Sequence, residues 1–133
     1  MAQQLNPYIT FAGNCAEAMD FYAQALGGSV QKMTFRDAGM DADGVMHAAL
    51  ETPAGFHVFA SDTMEGMPYE PGNNLQVSIS GDDAEALRGY WEALSDGGNV
   101  VMPLERQMWG DDYGMLADRF GVLWHVNISV AAG

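Results

Sequence analysis

Basic residues are scarce in this chain. Against 18 acidic residues it carries only Lys32, Arg36, Arg88, Arg106 and Arg119, for a net charge of -13. A surface so acidic repels phosphate backbones and anionic lipid, so nucleic acid and membrane surfaces are excluded as expected partners. A strongly anionic ligand would need a local basic cluster, and the linear sequence contains none. There is one cysteine, Cys15, so no intrachain disulfide can form. It falls at the start of a predicted helix and, with no second thiol to resolve it, reads as a small residue filling the first turn. No apolar run approaches the roughly 20 residues that span a bilayer. The opening MAQQLNPYITF lacks the basic and apolar regions of a secretory signal, so a cytoplasmic location is expected.

What is present is enough for one folded domain. The chain has 133 residues, 48% of them hydrophobic, which allows a buried core and argues against intrinsic disorder.

The chain repeats itself. Ala16-Glu17-Ala18-Met19, then Tyr22, Ala25 and Leu26, has the spacing of Ala84-Glu85-Ala86-Leu87, then Tyr90, Ala93 and Leu94. Both runs end at a glycine pair, Gly27-Gly28 and Gly97-Gly98, suited to helix C-termini. Asn14 and Asp83 stand where helix N-caps belong, and Asn14 with Glu17 has capping-box spacing. Met19, Tyr22, Ala23 and Leu26 recur at helical period, which predicts one buried face. Strand patterns flank each helix. They cover Leu5 to Phe11 and Asn74 to Ser80 before the helices. Ser29 to Arg36, Val45 to Glu51 and Phe56 to Ser61 follow the first, and Asn99 to Arg106, Tyr113 to Ala117 and Val122 to Ser129 follow the second. The expected architecture is α+β. It has two tandem β-α-β-β-β modules, residues 1–62 and 74–133, joined by a Gly- and Pro-bearing linker over 63–73. Each module covers one sheet face with its helix, and the two uncovered faces are expected to form a cupped sheet that takes a ligand.

Strand alternation assigns the faces. In the last strand Val122, Trp124, Val126 and Ile128 form the row expected beneath a helix, leaving Leu123, His125, Asn127 and Ser129 toward the cup. In the strand opening the second half, Leu75, Val77 and Ile79 are expected to pack inward, with Asn74, Gln76, Ser78 and Ser80 opposite. In the first strand Ile9 and Phe11 are core candidates, leaving Asn6, Tyr8 and Thr10 for the cup. Asn127-Ile128-Ser129 matches a glycosylation pattern but reads as strand.

With these elements placed, the sequence resembles the PhnB-like branch of the vicinal-oxygen-chelate superfamily, which includes glyoxalases, bleomycin-resistance proteins and extradiol dioxygenases. The likeness is carried by Leu5-Asn6-Pro7-Tyr8, Phe11-Ala12-Gly13-Asn14, the Ala18–Tyr22 helix and Leu26-Gly27-Gly28. It continues through Met46-His47-Ala48, Ala60-Ser61-Asp62, Gly72-Asn73-Asn74 and Met102-Pro103-Leu104. It ends with Trp109-Gly110-Asp111-Asp112-Tyr113-Gly114 and Asp118-Arg119-Phe120-Gly121-Val122, then Trp124. The resemblance implies a homodimer. It also implies a divalent metal held by His, Glu or Gln from the first and last strands of each half.

The residues present argue against that metal. Aligning Gly55 with Gly121 pairs Phe59 with His125, so the expected fourth ligand is His125 and its counterpart cannot ligate. The first-strand position falls at Pro7 or Tyr8, and its second-half equivalent near Asn74, Leu75 or Gln76. One imidazole and an amide do not complete a shell for Zn²⁺, Ni²⁺ or Fe²⁺, unless His47 or His57 contributes unconventionally. The acidic loop Asp37–Gly44 lacks the closing Glu of a calcium loop, since its twelfth position is Ala48. No metal and no cofactor are therefore expected.

Candidate ligand-binding residues are Tyr8, Thr10, His47, Gln76, Trp109, Tyr113 and His125. His125 fits three roles: general acid or base, hydrogen bonder to a ligand, or satisfied structural histidine. His47 aligns with Tyr113, which suits a pair lining the site from the two halves; its plainer reading is a bond to a backbone carbonyl. Trp109 suits a flat apolar cap or ordinary rim packing. The ten methionines supply an adaptable apolar lining or core filler. The leading expectation is binding of a small, mostly neutral or weakly polar molecule in a metal-free cup. The contrasting one is a lyase, isomerase or dioxygenase, metal-dependent or assisted by His125. The third is sequestration of a drug, for which the acidic charge would favour a cation.

Overall fold

The computed structural model describes residues 3–64 and 66–130. It divides into two compact units, Met1–Pro71 and Gly72–Gly133. Unit 1 contains β1 (Tyr8–Phe11), α1 (Cys15–Leu26), β2 (Ser29–Thr34), β3 (Val45–Glu51) and β4 (His57–Asp62). Unit 2 contains β5 (Val77–Gly81), α2 (Ala84–Ser95), β6 (Asn99–Arg106), β7 (Asp112–Ala117) and β8 (Leu123–Ile128). The protein is α+β, as its internal repeat predicts. Each unit has one four-stranded sheet, ordered β1-β4-β3-β2 and β5-β8-β7-β6. In both, the first strand runs parallel to the fourth and the other pairs are antiparallel.

The helix periodicity translates directly into burial. Cys15, Ala18, Met19, Tyr22, Ala25 and Leu26 of α1 are buried against their sheet, as are Leu87 and Leu94 of α2. Beneath α1 lie Ala48, Leu50, Val58 and Ala60; beneath α2 lie Leu116, Trp124, Val126 and Ile128. Two glycines admit this packing. A Cβ on Gly114 would lie 2.6 Å from the Trp91 ring and 2.8 Å from the Leu104 backbone, so β7 approaches α2 and β6 only through a glycine. A Cβ on Gly98 would sit 2.3 Å from the Ala117 carbonyl oxygen.

Two buried carboxylates close the units. Asp62, at the end of β4, accepts the backbone N–H of Gly13 and Cys15 on one oxygen and of Val45 on the other, each at 2.9 Å. It thereby joins the ends of β3 and β4 to the start of α1. Asp118 accepts the N–H of Phe120 and Val122 across the β7–β8 turn and the Trp124 indole N–H at 2.8 Å. That last bond satisfies the one polar atom of a side chain only 1% exposed.

Several expectations need correction. Asn14 makes no side-chain cap, so the Asn14–Glu17 box is not formed; Asp62 instead receives the first amide of α1, that of Cys15, together with the Gly13 amide before the helix. Asp83 does cap α2, accepting the Ala86 N–H. The opening strands are shorter than their hydrophobic patterns suggested, because pairing with β4 starts at Tyr8 and pairing with β8 at Val77. Leu75 therefore lies outside β5 and is 89% exposed rather than packed inward, and Leu5 is fully exposed.

Candidate functional site

The faces that matter are those turned away from α1 and α2. In unit 2, alternation along β8 buries Trp124, Val126 and Ile128 and leaves Leu123, His125 and Asn127 part-exposed on the opposite face. His125 pairs with Ser78 of β5 and Met115 of β7. Tyr113 of β7 is directly opposite Asn127, so its ring reaches His125 on the diagonal. The two rings stack with centroids 5.6 Å apart, and the Tyr113 hydroxyl hydrogen-bonds His125 Nδ1. On the other side of the imidazole, Nε2 hydrogen-bonds Gln76 Oε1. Gln76 precedes β5, and its side chain is held in place by donating from its own Nε2 to the Asn73 carbonyl at 3.0 Å.

Trp109 borders this group. Its ring stands edge-on to Tyr113 at 5.6 Å and is 56% exposed. Gly110, at φ 96°, turns the segment from Trp109 into β7. Asn127 completes the face by donating to Asp111 at 3.0 Å. The four unit-2 candidates, Gln76, Trp109, Tyr113 and His125, thus form one connected group.

Unit 1 has an aromatic counterpart. Tyr8 of β1, His47 of β3 and Phe59 of β4 lie on the face opposite α1. His47 is 5.5 Å from Phe59, and Tyr8 is 6.0 Å from His47 and 6.5 Å from Phe59. Thr10 is exposed on the same strand as Tyr8 but joins none of these ring contacts. Sequence reasoning named Phe59 only as a residue unable to bind metal; its apolar ring between two polar ones is the signal that could have placed it here.

Other polar groups lie elsewhere. His57 is 3.8 Å from Glu51 at the start of β4. Asp112 lies beside Tyr113 in sequence but on the helix side, clamped by Arg88 at 2.7 Å and Arg106 at 2.8 Å. The Arg106 hydrogen bond, reinforced by the charges of both guanidinium groups, holds the Asp112 carboxyl below its usual range. Cys15 is fully buried, and its thiol is pushed up to about 12, by burial first and then by the Asp62 charge. It is an inert core thiol.

In unit 1 the first and last strands bring Tyr8 opposite Phe59; in unit 2 they bring Ser78 opposite His125. The second-half equivalent of Tyr8 is thus Ser78, not a residue of the Asn74–Gln76 stretch. His125 is a good ligand and Gln76 adds one weak amide oxygen, but that oxygen and the Tyr113 hydroxyl already engage both ring nitrogens. Among the described residues no three His, Cys, Asp or Glu side chains cluster to hold an ion. These residues do not fit a divalent metal.

This chain resembles known proteins over nearly its whole length. Residues 4–126 match the Glyoxalase/Bleomycin resistance protein/Dioxygenase superfamily. The chain belongs to that superfamily. Protein PA1353 from Pseudomonas aeruginosa has a crystal structure superposing with a TM-score of 0.86 at 39% identity, covering 96% of this chain and 98% of that one. A PhnB protein from Bacillus cereus shares the fold, with a TM-score of 0.75 at 19% identity over 96% of this chain and all of that one. Protein YjdN of Escherichia coli K12 is 25% identical over 93% of this chain and 94% of its own length. The glyoxalase-superfamily fold is therefore established, while a shared fold leaves the chemistry to be argued from the residues.

Proposed function

We propose that this glyoxalase-superfamily protein binds a small, mostly neutral or weakly polar molecule without a metal. Its polar recognition is assigned to the unit-2 face formed by Gln76, Tyr113 and His125 and edged by Trp109. Tyr8 and His47, with Phe59 between them, offer unit 1's own aromatic surface for the same purpose, and Thr10 a hydroxyl on the same strand as Tyr8. The observation that carries this reading is the engagement of both His125 nitrogens by side chains of the same face. A cation would have to displace Tyr113 or Gln76 to reach the ring. A ligand needs only the outward lone pair or proton of the phenol and the exposed indole plane. A thermal-shift screen of small neutral molecules tests it. Hits should lose most of their stabilisation in Y113F and W109A, and a hit that stabilises both variants as well as the parent counts against this face.

A second reading, a His125-assisted lyase or isomerase, is favoured by the direct Tyr113–His125 hydrogen bond, since such a pair can pass a proton. It requires turnover that is lost in both Y113F and H125N. Self-association as a homodimer belongs to the proposal as well. Its support is the run of exposed apolar residues Val100, Val101 and Met102 on β6, an edge strand. Light scattering should give twice the chain mass, falling to one chain in V101E. No described helix is long and apolar enough to cross a membrane, and a cytoplasmic location is likewise proposed, to be checked by fractionation.

A further inference from the structure

The hydrogen bonds around His125 have a direction, and that direction specifies what the face can recognise. Gln76 Nε2 donates to the Asn73 carbonyl, which can only accept. The amide is therefore held with Oε1, a pure acceptor, toward His125 Nε2. Nε2 must carry a proton, because a bare ring nitrogen would set lone pair against lone pair. In the neutral ring Nδ1 then has no proton and can only accept, so the Tyr113 hydroxyl donates to it. With its one proton spent inward, the phenol oxygen presents lone pairs to the open face.

We infer that Gln76, anchored by the Asn73 carbonyl, locks neutral His125 as the Nε2–H tautomer and thereby makes Tyr113 a hydrogen-bond acceptor selecting ligands that offer an N–H or O–H. This rests on the proposed binding face and narrows its ligand class to flat molecules with a donor near an aromatic edge. Trp109, edge-on to Tyr113 and more than half exposed, supplies the surface for the flat part. Gln76 is a positioning residue, since it acts on the ligand only through His125 and Tyr113.

The lock is testable without any ligand. Long-range ¹H–¹⁵N spectra at about pH 8, above the ordinary imidazole range, report which ring nitrogen carries the proton, with His125 assigned by its loss in H125N. The expected result is a pyrrole-like Nε2 and a pyridine-like Nδ1. In Q76L the two nitrogens should move toward averaged values, since neither the acceptor for Nε2–H nor its anchor on the Asn73 carbonyl remains. A His125 protonated on Nδ1, a mixed tautomer in the parent chain, or a pattern unchanged in Q76L would overturn the inference.

The ligand class is tested with indole and benzofuran, which share a shape and differ by one N–H. Indole should perturb the Tyr113 and His125 resonances and bind about fivefold tighter, the worth of one hydrogen bond, with the preference abolished in Y113F. Equal binding of the two would overturn the donor requirement while leaving the binding face standing. No perturbation by either would instead remove the binding face, and the ligand class with it.

Discussion

Replacing Asp62 by alanine should be among the most damaging single changes available to this protein. The carboxylate is only 6% exposed and receives three backbone N–H groups, from Gly13, Cys15 and Val45, all at 2.9 Å. A hydrogen bond to a charged group contributes about 1.5–3 kcal/mol, and a buried donor left unpaired costs a similar amount. Three such bonds set an upper range of roughly 4.5–9 kcal/mol. They share one side chain and are not additive, and Gly13 is exposed and can turn to water. A loss of about 4 kcal/mol is the expected value for D62A. D62N keeps one acceptor oxygen and so the Gly13 and Cys15 bonds, but it turns an NH₂ toward the Val45 N–H; about 2 kcal/mol is expected. For a chain of this size, D62A should lower the melting temperature by about 10–15 °C. Urea unfolding followed by far-UV circular dichroism gives the free energies. Cys15 supplies a local readout, because its thiol is buried beside Asp62 and raised to about 12. Reaction with a disulfide reagent should be negligible in the parent chain and faster in D62A before global unfolding, as the start of α1 loses its anchor. A D62A variant within about 1 kcal/mol of the parent, with Cys15 still unreactive, would refute the role assigned to this carboxylate.

Three shorter tests follow. G114A should destabilise by about 2–3 kcal/mol, since its Cβ meets both the Trp91 ring and the rigid Leu104 backbone, and W91A in the same chain should recover only the part owed to the ring. Asp112 titrates below its usual range, chiefly through its Arg106 hydrogen bond. Its stabilising effect is therefore present above the ordinary carboxylate value and is lost as pH falls through the depressed folded value. D112N should flatten the acid side of a melting-temperature profile and leave the neutral side nearly parallel to the parent. W109A should change stability little, because the ring is more than half exposed, and should weaken any aromatic ligand severalfold; if overexpression confers tolerance to a cationic drug, W109A should abolish it.

The fold was legible because repetition gave each element two chances to declare itself. β3 and β6 span the residues their patterns predict, and the alternation of Trp124, Val126 and Ile128 against His125 and Asn127 is visible as plain period-two spacing. What escaped reading depends on distant partners. Asn14 has the composition of a cap, yet the carboxylate that receives the first α1 amide comes from Asp62, brought there by the pairing of β4 with β1. Leu75 continues an apolar alternation, but the strand ladder begins two residues later and leaves it in solvent. His125 could be placed on its face from the sequence. That Gln76 and Tyr113 would occupy its two nitrogens could not, because one lies outside the strand and the other meets it diagonally across a register no local pattern encodes. The two arginines on Asp112 likewise converge only through folding, from α2 and β6.

A face that hydrogen-bonds a molecule, as proposed for Gln76, Tyr113 and His125, does not grip a cation. Metal stoichiometry of untagged protein, purified without chelator and then equilibrated with Zn²⁺, Ni²⁺, Fe²⁺ or Mn²⁺, tests this most directly. Far less than one equivalent of any of them is expected after gel filtration, with no difference between the parent chain and H125N. One tightly held equivalent that disappears in H125N would contradict it.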